Sequence, residues 1–443
     1  MIVMKFGGTS VGSAKNIAGV AAIVKSALTS KPVVVVSAIA KMTDALIALA
    51  GESSRGGGEE ALSRITATHD SILSELGLPV ALLSDEYTEL TALVAMARTQ
   101  KDASKKILDQ FQSFGERMCA KIVAATLAKD GVASGAFPAW DIGMITDDEF
   151  GSAEPLPQSF AKIKKKIAAL SVVPVVTGFI GKTEDGEITT LGRGGSDYTA
   201  AIIGSAVSAE AIQIWKEVDG FMTTDPRIVP EARVVPELAF EEASELAYFG
   251  AKVLHPKTIV PAMQANISVQ VLNTFNPEGA GTTIVSNFSQ RREQSHSIEA
   301  LTFKKGVIAI HIYSPEFFDG NGLMARIFNI FDTYANIDLV AISVASFSVT
   351  TTDDTHLDEI VAKLKEIGEV KVERGKAVIC VVGGSINAAG VVGGMFTILS
   401  KNQIPVELIS QAASGYSITF VVAEDDAVRA LSILHKEYIE KVG

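Results

Sequence analysis

TTLGRGGSDYTAA, residues 189–201, joins a short polar segment to an apolar stretch with the pattern of a helix. Its three glycines can adopt positive φ angles and leave backbone N–H groups open to an anion. Arg193 adds a planar guanidinium that matches the geometry of a carboxylate. Because a helix that begins after a glycine loop binds anions at its N-terminus, the stretch predicts an anion site. A glycine-rich turn capped by Ser196 or Asp197 is the structural alternative.

Upstream of this stretch, the chain alternates between strand-like and helix-like segments. Residues 2–6 and 33–36 are apolar and β-branched enough to predict strands buried on both faces, with a helix between them. This order predicts an α/β fold with a parallel sheet, whose ligands bind beyond the carboxyl ends of the strands. Lys5, within KFGGTS at residues 5–10, and Thr43 would lie at that edge. We expect Lys5 and Arg193 to open into one cavity there.

Residues 59–127 have helical periodicity and form a long segment between the predicted strands. Within it, Glu116 follows Gly115 on a helix that otherwise has a buried pattern. Two interpretations stay open for Glu116. It forms a local ion pair with Arg117, or its carboxylate faces a ligand amine.

Composition excludes several classes of protein. The chain has 443 residues, of which 47% are hydrophobic and 20% charged, which indicates a globular protein of more than one domain. The net charge of −12 argues against a nucleic acid partner. The two cysteines, Cys119 and Cys380, match no metal-binding spacing and predict reduced thiols. Without a signal peptide pattern or a long apolar run, we expect a cytoplasmic protein with no membrane segment.

The C-terminal part contains a weak internal repeat behind a polar linker at residues 286–296. Three positions recur with an offset of 68 residues, namely Gly322, Phe328 and Ile330, which recur as Gly390, Phe396 and Ile398. Each copy reads strand, glycine turn, helix and strand. Each copy is too small to bury a core comfortably alone, so we expect the copies to contact each other or a second chain.

Five motifs in this order resemble the aspartokinases of the amino acid kinase family over essentially the whole chain. They are KFGGTS at Lys5, VSAIAKMTD around Ser37, TLGRGGSDYTA at Thr190, VDGFMTTDPR at Val218 and FGAKVLHP at residues 249–256. The resemblance implies an amino acid kinase fold, a mainly parallel central sheet sandwiched by helices, followed by two ferredoxin-like βαββαβ ACT domains. It places the catalytic domain at residues 1–285, with a helical insertion at about 59–127. The first ACT domain would span 307–375, and the second would combine 297–306 with 376–443.

The resemblance also implies an activity, aspartate kinase, and a set of site residues. The γ-phosphate of ATP, carried with Mg²⁺, would pass to the β-carboxylate of L-aspartate, giving 4-phospho-L-aspartate and ADP. Lys5 and Asp197 would be catalytic, with Asp197 orienting Lys5, and no protein side chain would bind the metal directly. Aspartate would contact Thr43, Glu116, Arg193, Gly194, Gly195 and Ser196. The nucleotide would contact Lys5, Phe6, Gly7, Gly8, Lys216, Glu217, Met222, Arg227, Lys252 and Val253.

The sequence departs from the family pattern in two places. Many relatives carry a Thr-Asp pair where this chain has Lys216 and Glu217, and a tyrosine at Met222, so this chain would contact the nucleotide there with different side chains. In the first ACT domain, Val340 stands where lysine-inhibited relatives have an aspartate that binds the effector. Asp338 would take that role in this chain, and Gly322 and Met324 are the other predicted effector residues. The effector, lysine or threonine, stays open. Pairing through ACT domains implies a homodimer.

Two other functions are compatible with parts of the sequence. A kinase of glutamate or acetylglutamate would share the glycine loops but would not carry two ACT domains. An amino acid sensor with an inactive kinase domain is the alternative from a different class. The presence of Lys5, Arg193 and Asp197 argues against an inactive kinase domain.

Overall fold

The computed structural model describes residues 1–251, 253–285, 298–315, 322–384 and 386–441, so the predicted linker and Lys252 lie outside the described residues. The chain forms two compact units. The first comprises Met1–Phe221, Pro236–Phe240 and Val253–Asn287, and the second comprises Met222–Val235, Glu241–Lys252 and Phe288–Gly443. In the described part of the chain, no helix has both the length and the apolar character needed to cross a bilayer.

The first unit is built on an eight-stranded sheet with the order β3-β4-β2-β1-β7-β9-β10-β8. All neighbouring strands are parallel except β9 and β10, which are antiparallel. The strands are β1 (Ile2–Phe6), β2 (Pro32–Val36), β3 (Ser134–Phe137), β4 (Val173–Thr177), β7 (Ala211–Lys216), β8 (Glu237–Ala239), β9 (Ser268–Asn273) and β10 (Thr282–Val285). A separate hairpin joins β5 (Ile180–Lys182) to β6 (Ile188–Thr190).

Helices α1 to α5 form one large apolar core with one face of this sheet. They are α1 (Ala14–Ser26), α2 (Met42–Ser54), α3 (Glu59–Leu76), α4 (Ser84–Gln100) and α5 (Lys105–Lys129), and the last three fill the predicted helical insertion. Met4 and Phe6 of β1 belong to this core. Because side chains alternate along a strand, Val3 and Lys5 point to the opposite face.

The opposite face is covered by α7 (Gly195–Val207), which lies with α6 (Gln158–Ala168) and α9 (Pro256–Gln264). The helix approaches the sheet closely because Gly204 has no side chain, and a Cβ there would lie 2.5 Å from the Ile212 side chain. The periodicity of β1 and the position of α7 together direct Lys5 toward the first turn of α7. The remaining helix before the C-terminal region is α8 (Phe240–Phe249).

The second unit contains a six-stranded antiparallel sheet with the order β12-β13-β11-β14-β16-β15. Its strands are β11 (Ala300–Tyr313), β12 (Leu339–Ile342), β13 (Ser346–Thr351), β14 (Glu369–Val382), β15 (Leu408–Gln411) and β16 (Ser417–Ala423). Its helices are α10 (Leu323–Tyr334), α11 (Leu357–Lys365), α12 (Val391–Lys401) and α13 (Glu424–His435). The two long central strands, β11 and β14, change register between Lys304 and Val307.

This register change separates two apolar cores, one in each half of the sheet, which is the arrangement expected of two ACT domains. One core contains Ile310 and Phe347, and the other contains Leu301 and Phe420. The repeated glycines both precede a helix with positive φ, 78° at Gly322 and 90° at Gly390. The repeated phenylalanines also have equivalent contacts, since Phe328 packs edge to face on Phe347 and Phe396 does so on Phe420. The sequence repeat is therefore a structural repeat.

Candidate functional site

A cavity of about 720 Å³ opens at the carboxyl ends of the parallel strands in the first unit. Segments that follow β1, β2 and β4, the last residue of β7, one face of α5 and the loop before α7 line it. The predicted site residues in this lining are Lys5, Gly8, Thr43, Glu116, Arg193, Gly194, Gly195, Ser196, Asp197 and Lys216. Lys5 and Arg193 thus open into the same cavity.

Two lysines share one buried carboxylate in this cavity. Lys5 Nζ lies 2.6 Å from Asp197 Oδ1, and Lys216 Nζ lies 3.0 Å from Asp197 Oδ2. Burial favours a raised pKa for Asp197, but the two ammonium groups outweigh burial and hold this pKa below its ordinary value. Burial likewise lowers the pKa of Lys5, and the Asp197 carboxylate opposes that effect. The group carries an excess positive charge that suits a phosphate.

The glycine loops bring the backbone close to this charge. A Cβ on Gly8 would lie 2.9 Å from the carbonyl oxygen of Ala38, and one on Gly7 would lie 3.6 Å from Lys5 Nζ. Gly194 precedes α7 with a φ of 74°, and no side chain caps the helix. The alternative of a turn capped by Ser196 or Asp197 is therefore wrong. An uncapped helix N-terminus beside two lysines is suited to an anion.

Glu116 presents a buried carboxylate to the same cavity. Its Oε1 accepts a hydrogen bond of 2.9 Å from the Ala38 N–H, and within the described ranges Oε2 has no hydrogen-bond partner. The side chain is only 2% exposed, and burial raises the pKa of Glu116 to about 8. The local ion pair with Arg117 is not what forms, because Arg117 Nη2 lies 2.6 Å from Glu89 Oε2. Glu116 is left available to a ligand cation.

Arg193 supplies the complementary charge. It is exposed on the loop before α7 and lines the cavity. No carboxylate of the described residues is paired with its guanidinium. A free guanidinium and a free carboxylate that line one cavity can bind the two charges of an α-amino acid.

Other predicted nucleotide residues lie outside the cavity lining. The Phe6 side chain is in the core and stacks on Trp215 with centroids 5.9 Å apart, so it stabilises the sheet instead of facing the cavity. Glu217 is exposed after β7, and the Val253 carbonyl accepts a hydrogen bond from Lys216 Nζ. Met222 and Arg227 belong to the second unit, where Met222 pairs with Val234 and Arg227 forms an ion pair of 2.6 Å with Asp225.

The residues predicted to bind an effector lie in the first ACT domain. Gly322 precedes α10, and Met324 packs against the core of this domain. Asp338 is buried, with Oδ1 lying 2.7 Å from Lys304 Nζ and accepting a hydrogen bond of 3.1 Å from the Tyr248 hydroxyl. Its role in effector binding stays a prediction.

The structure also adds residues to the cavity that the sequence did not indicate. Gln112 and Phe179 line it, as does Lys41, which precedes α2 with a φ of 67°. Asp109 does not line it but bonds to two residues that do, Gly151 and Thr190. The signal for Gln112 and Asp109 is their spacing from Glu116, because positions 109, 112 and 116 share one helical face. The apolar residues of α5 form the stronger helical pattern, so the polar face was not evident from the sequence.

Comparisons with known proteins give matches over nearly the whole chain. The model of the amino acid kinase family matches residues 1–273, and an ACT domain model matches residues 379–438. Aspartokinase 3, chloroplastic, of Arabidopsis thaliana is 36% identical over 99% of this chain and 81% of its own length. Lysine-sensitive aspartokinase 3 of Escherichia coli is 33% identical over 99% of both chains.

Solved structures of Escherichia coli aspartokinase III are similar over nearly the whole chain. The complex with lysine and aspartate, called the T-state, has a TM-score of 0.83 at 32% identity and covers 99% of both chains. The complex with aspartate and ADP, called the R-state, has a TM-score of 0.81 at 32% identity and covers 98% of this chain and 99% of the other.

Proposed function

The chain belongs to the amino acid kinase family and, within it, to the aspartokinases, and from this premise we propose how its cavity performs the reaction. The activity is aspartate kinase, the transfer of the γ-phosphate of ATP to the β-carboxylate of L-aspartate, giving 4-phospho-L-aspartate and ADP. This is the first step of the aspartate pathway to lysine, threonine and methionine. The observation that carries the mechanism is that Lys5, Glu116 and Arg193 line one cavity.

In the proposed aspartate subsite, the free Oε2 of Glu116 accepts the substrate ammonium, and Arg193 clamps the α-carboxylate. Thr43 and Ser196, which also line the cavity, donate hydroxyl hydrogen bonds. The substrate's β-carboxylate is already an ionised nucleophile, so the site needs no general base. Its task is to hold the two reactants in line and to reduce the repulsion between their charges.

In the proposed phosphate subsite, Lys5 and the backbone of Gly7 and Gly8 bind the transferring group. Asp197 keeps the Lys5 ammonium in place, and Lys216 adds a second positive charge. The other predicted nucleotide contacts are Glu217, Met222, Arg227, Lys252 and Val253. The N-terminus of α7 adds its positive end, which also favours the developing negative charge.

We propose that Mg²⁺ accompanies ATP, with no protein side chain as a direct ligand. In the described residues, no three His, Cys, Asp or Glu side chains converge, and the Asp197 carboxylate is already held by two lysines. These residues fit a metal that the nucleotide carries. When bound, the ion supplies charge neutralisation on the phosphates.

Regulation and assembly are further parts of the proposal. We propose that an amino acid effector, lysine or threonine, controls activity through the ACT domains, a proposal supported by the lysine-sensitive relative and the lysine-bound neighbour. We also propose a homodimer through the ACT domains, a cytoplasmic location, and the domain limits predicted above. Titration with each amino acid tests the regulation. An activity that responds to neither would refute it.

A coupled assay of ADP release tests the activity itself. We expect release that depends on L-aspartate. Hydroxylamine should displace phosphate from the acyl phosphate product and give the β-hydroxamate of aspartate. N-Acetyl-L-glutamate should give little release, because acetylation removes the ammonium that Glu116 would bind. L-Glutamate keeps the α-amino acid head, but its extra methylene places the side-chain carboxylate out of line with the transferring phosphate, so it should also give little release. Equal rates with acetylglutamate would favour the related kinase, and no release with any amino acid would favour the sensor.

A further inference from the structure

One face of α5 carries three polar side chains at positions 109, 112 and 116, spaced three and four residues apart. Gln112 and Glu116 line the cavity. Asp109 lies on the same face, nearly two turns before Glu116, and is fully buried at 0% exposure. A carboxylate is rarely buried in this way unless hydrogen bonds compensate for the loss of water.

Asp109 accepts three hydrogen bonds from two residues that line the cavity. Its Oδ2 accepts from the Gly151 N–H and the Thr190 N–H, both at 2.9 Å, and its Oδ1 accepts from Thr190 Oγ1 at 2.8 Å. Burial raises the pKa of Asp109, and these three hydrogen bonds oppose that effect. Both of its partners line the cavity. Asp109 therefore joins α5 to two segments of the cavity wall.

These two segments hold the loop that carries Arg193. Thr190 precedes Arg193 by three residues, and its carbonyl accepts a hydrogen bond of 2.9 Å from the Ala153 N–H. Gly151 supports the same loop from the side, since a Cβ on Gly192 would lie 3.2 Å from the Gly151 carbonyl oxygen. Asp109 thus links α5 by hydrogen bonds to the two segments that contact the Arg193 loop.

We propose that Asp109 is a positioning residue for the aspartate subsite, which fixes the Arg193 loop at a set separation from Glu116. The inference rests on the proposed function, in which these two side chains bind the charges of one α-amino acid. Those charges are attached to a single carbon atom, so the subsite tolerates little change in separation. In the phosphate subsite, Lys5 of β1 pairs directly with Asp197 of α7, and neither residue bonds to Asp109, so ATP binding should be unaffected.

The conservative variant separates positioning from charge. In Asp109→Asn, the amide oxygen can accept both backbone hydrogen bonds, and the amide nitrogen can donate to Thr190 Oγ1, which rotates to accept. In Asp109→Ala, all three hydrogen bonds are lost and buried donors are left unpaired. Thr190→Val removes only the hydroxyl bond and keeps the backbone contact. Asp130→Ala, at an exposed carboxylate beyond the other end of α5, is the matched control.

Steady-state kinetics of these variants, with thermal unfolding measured in parallel, test the proposal. We expect Asp109→Ala to raise the KM for aspartate about tenfold or more, with the KM for ATP within about twofold of wild type. Asp109→Asn should stay within about threefold of wild type for both substrates, and Thr190→Val should fall between the two. Asp130→Ala should match wild type.

Three results would overturn the inference while the enzyme remains an aspartate kinase. They are an unchanged KM for aspartate in Asp109→Ala, equal increases in both KM values, and an asparagine variant as impaired as the alanine variant. If Asp109→Ala does not fold, Thr190→Val carries the test, and an unchanged KM for aspartate there refutes the proposal. A wild-type protein without aspartate-dependent ADP release would instead overturn the proposed function, and this inference with it.

Discussion

The two buried carboxylates that line the cavity, Asp197 and Glu116, have pKa values shifted in opposite directions. Asp197 lies between two ammonium groups, which keep its pKa below the ordinary value despite its burial. Glu116 has no bonded cation, and burial raises its pKa to about 8. Two lysines therefore compensate permanently for the burial of Asp197, whereas Glu116 has no cationic partner among the described residues until the substrate binds.

The raised pKa of Glu116 predicts how aspartate affinity depends on pH. Only the ionised carboxylate binds an ammonium, so the KM for aspartate should rise about tenfold for each pH unit below about 8. The kcat at saturating aspartate should change much less, because bound ammonium keeps Glu116 ionised. Initial rates measured from about pH 6 to about pH 9 check this expectation.

Glu116→Gln is the control for this pH dependence. Its KM for aspartate should be high and nearly independent of pH. A second measurement comes from stability, because the folded pKa of about 8 lies above the ordinary value of 4.5. Wild type should lose stability as pH rises through that interval, since the unfolded chain releases the proton first. The glutamine variant should lose less, and parallel losses would contradict the assignment.

Lys5 is the residue whose removal should abolish turnover without unfolding the protein. Loss of one donor to the transferring phosphate typically costs about 3 kcal/mol, roughly a hundredfold in kcat. Lys5→Ala leaves Asp197 paired with Lys216, so the buried carboxylate keeps one cationic partner. We expect a native circular dichroism spectrum and a kcat reduced at least about a hundredfold. Lys15→Ala, at an exposed lysine of α1, is the control. Near-normal turnover by Lys5→Ala would remove Lys5 from the mechanism.

At the scale of elements, close approach of α5 to the loop after β2 places Glu116. Gly115 allows this approach, because a Cβ there would lie 2.7 Å from the Ala38 side chain. Ala38 is also the residue whose N–H binds Glu116. The contact and the hydrogen bond are thus two consequences of one packing arrangement.

Gly115→Ala should therefore destabilise the first unit and weaken aspartate binding. Overpacking of this kind typically costs about 1 to 3 kcal/mol, which exceeds the usual gain from replacing a helical glycine with alanine. Gly19→Ala in α1 is a matched control, since no atom lies within 4 Å of its added Cβ. We expect that control to gain about 0.5 to 1 kcal/mol. Thermal unfolding of both variants checks the opposite signs, and stabilisation by both would refute the packing argument.

The sequence predicted the elements better than it predicted their side-chain contacts. Glycine turns after apolar strands are local signals, so the positions of Lys5 and the Arg193 loop were accessible from sequence. The roles of Phe6 and Asp109 were not, because each is set by a partner far along the chain. Phe6 stacks on Trp215, and Asp109 bonds to Thr190. The choice between two partners for Glu116 also depended on α4, which provides Glu89 to Arg117.

At the scale of the molecule, the two ACT domains share their central strands. Strands β11 and β14 each run through both halves of the six-stranded sheet, with the register change between the two cores. A disturbance in one core therefore acts on strands that also form the other. The two halves should unfold together.

Phe347→Ala tests this cooperativity. Truncating this fully buried ring should cost about 3 to 5 kcal/mol and lower the free energy of unfolding of the second unit. We expect amide hydrogen exchange to accelerate in β16 of the other half as well as in β13. Val344→Ala, whose side chain is 69% exposed, is the control. Unchanged protection of β16 would show that the halves are independent.

The position of β1 in the first sheet has a consequence for synthesis. This strand lies between β2 and β7, and Ile2 pairs with Pro32 on one side and Ala211 on the other. At about 5 to 20 residues per second, a ribosome needs roughly 10 to 40 s to deliver the second neighbour after the first strand emerges. During that interval, β1, the strand that carries Lys5, lacks its second neighbour β7. Lys5 is thus translated long before the strand that completes the sheet on its other side, and a chaperone has an opportunity to bind during that interval.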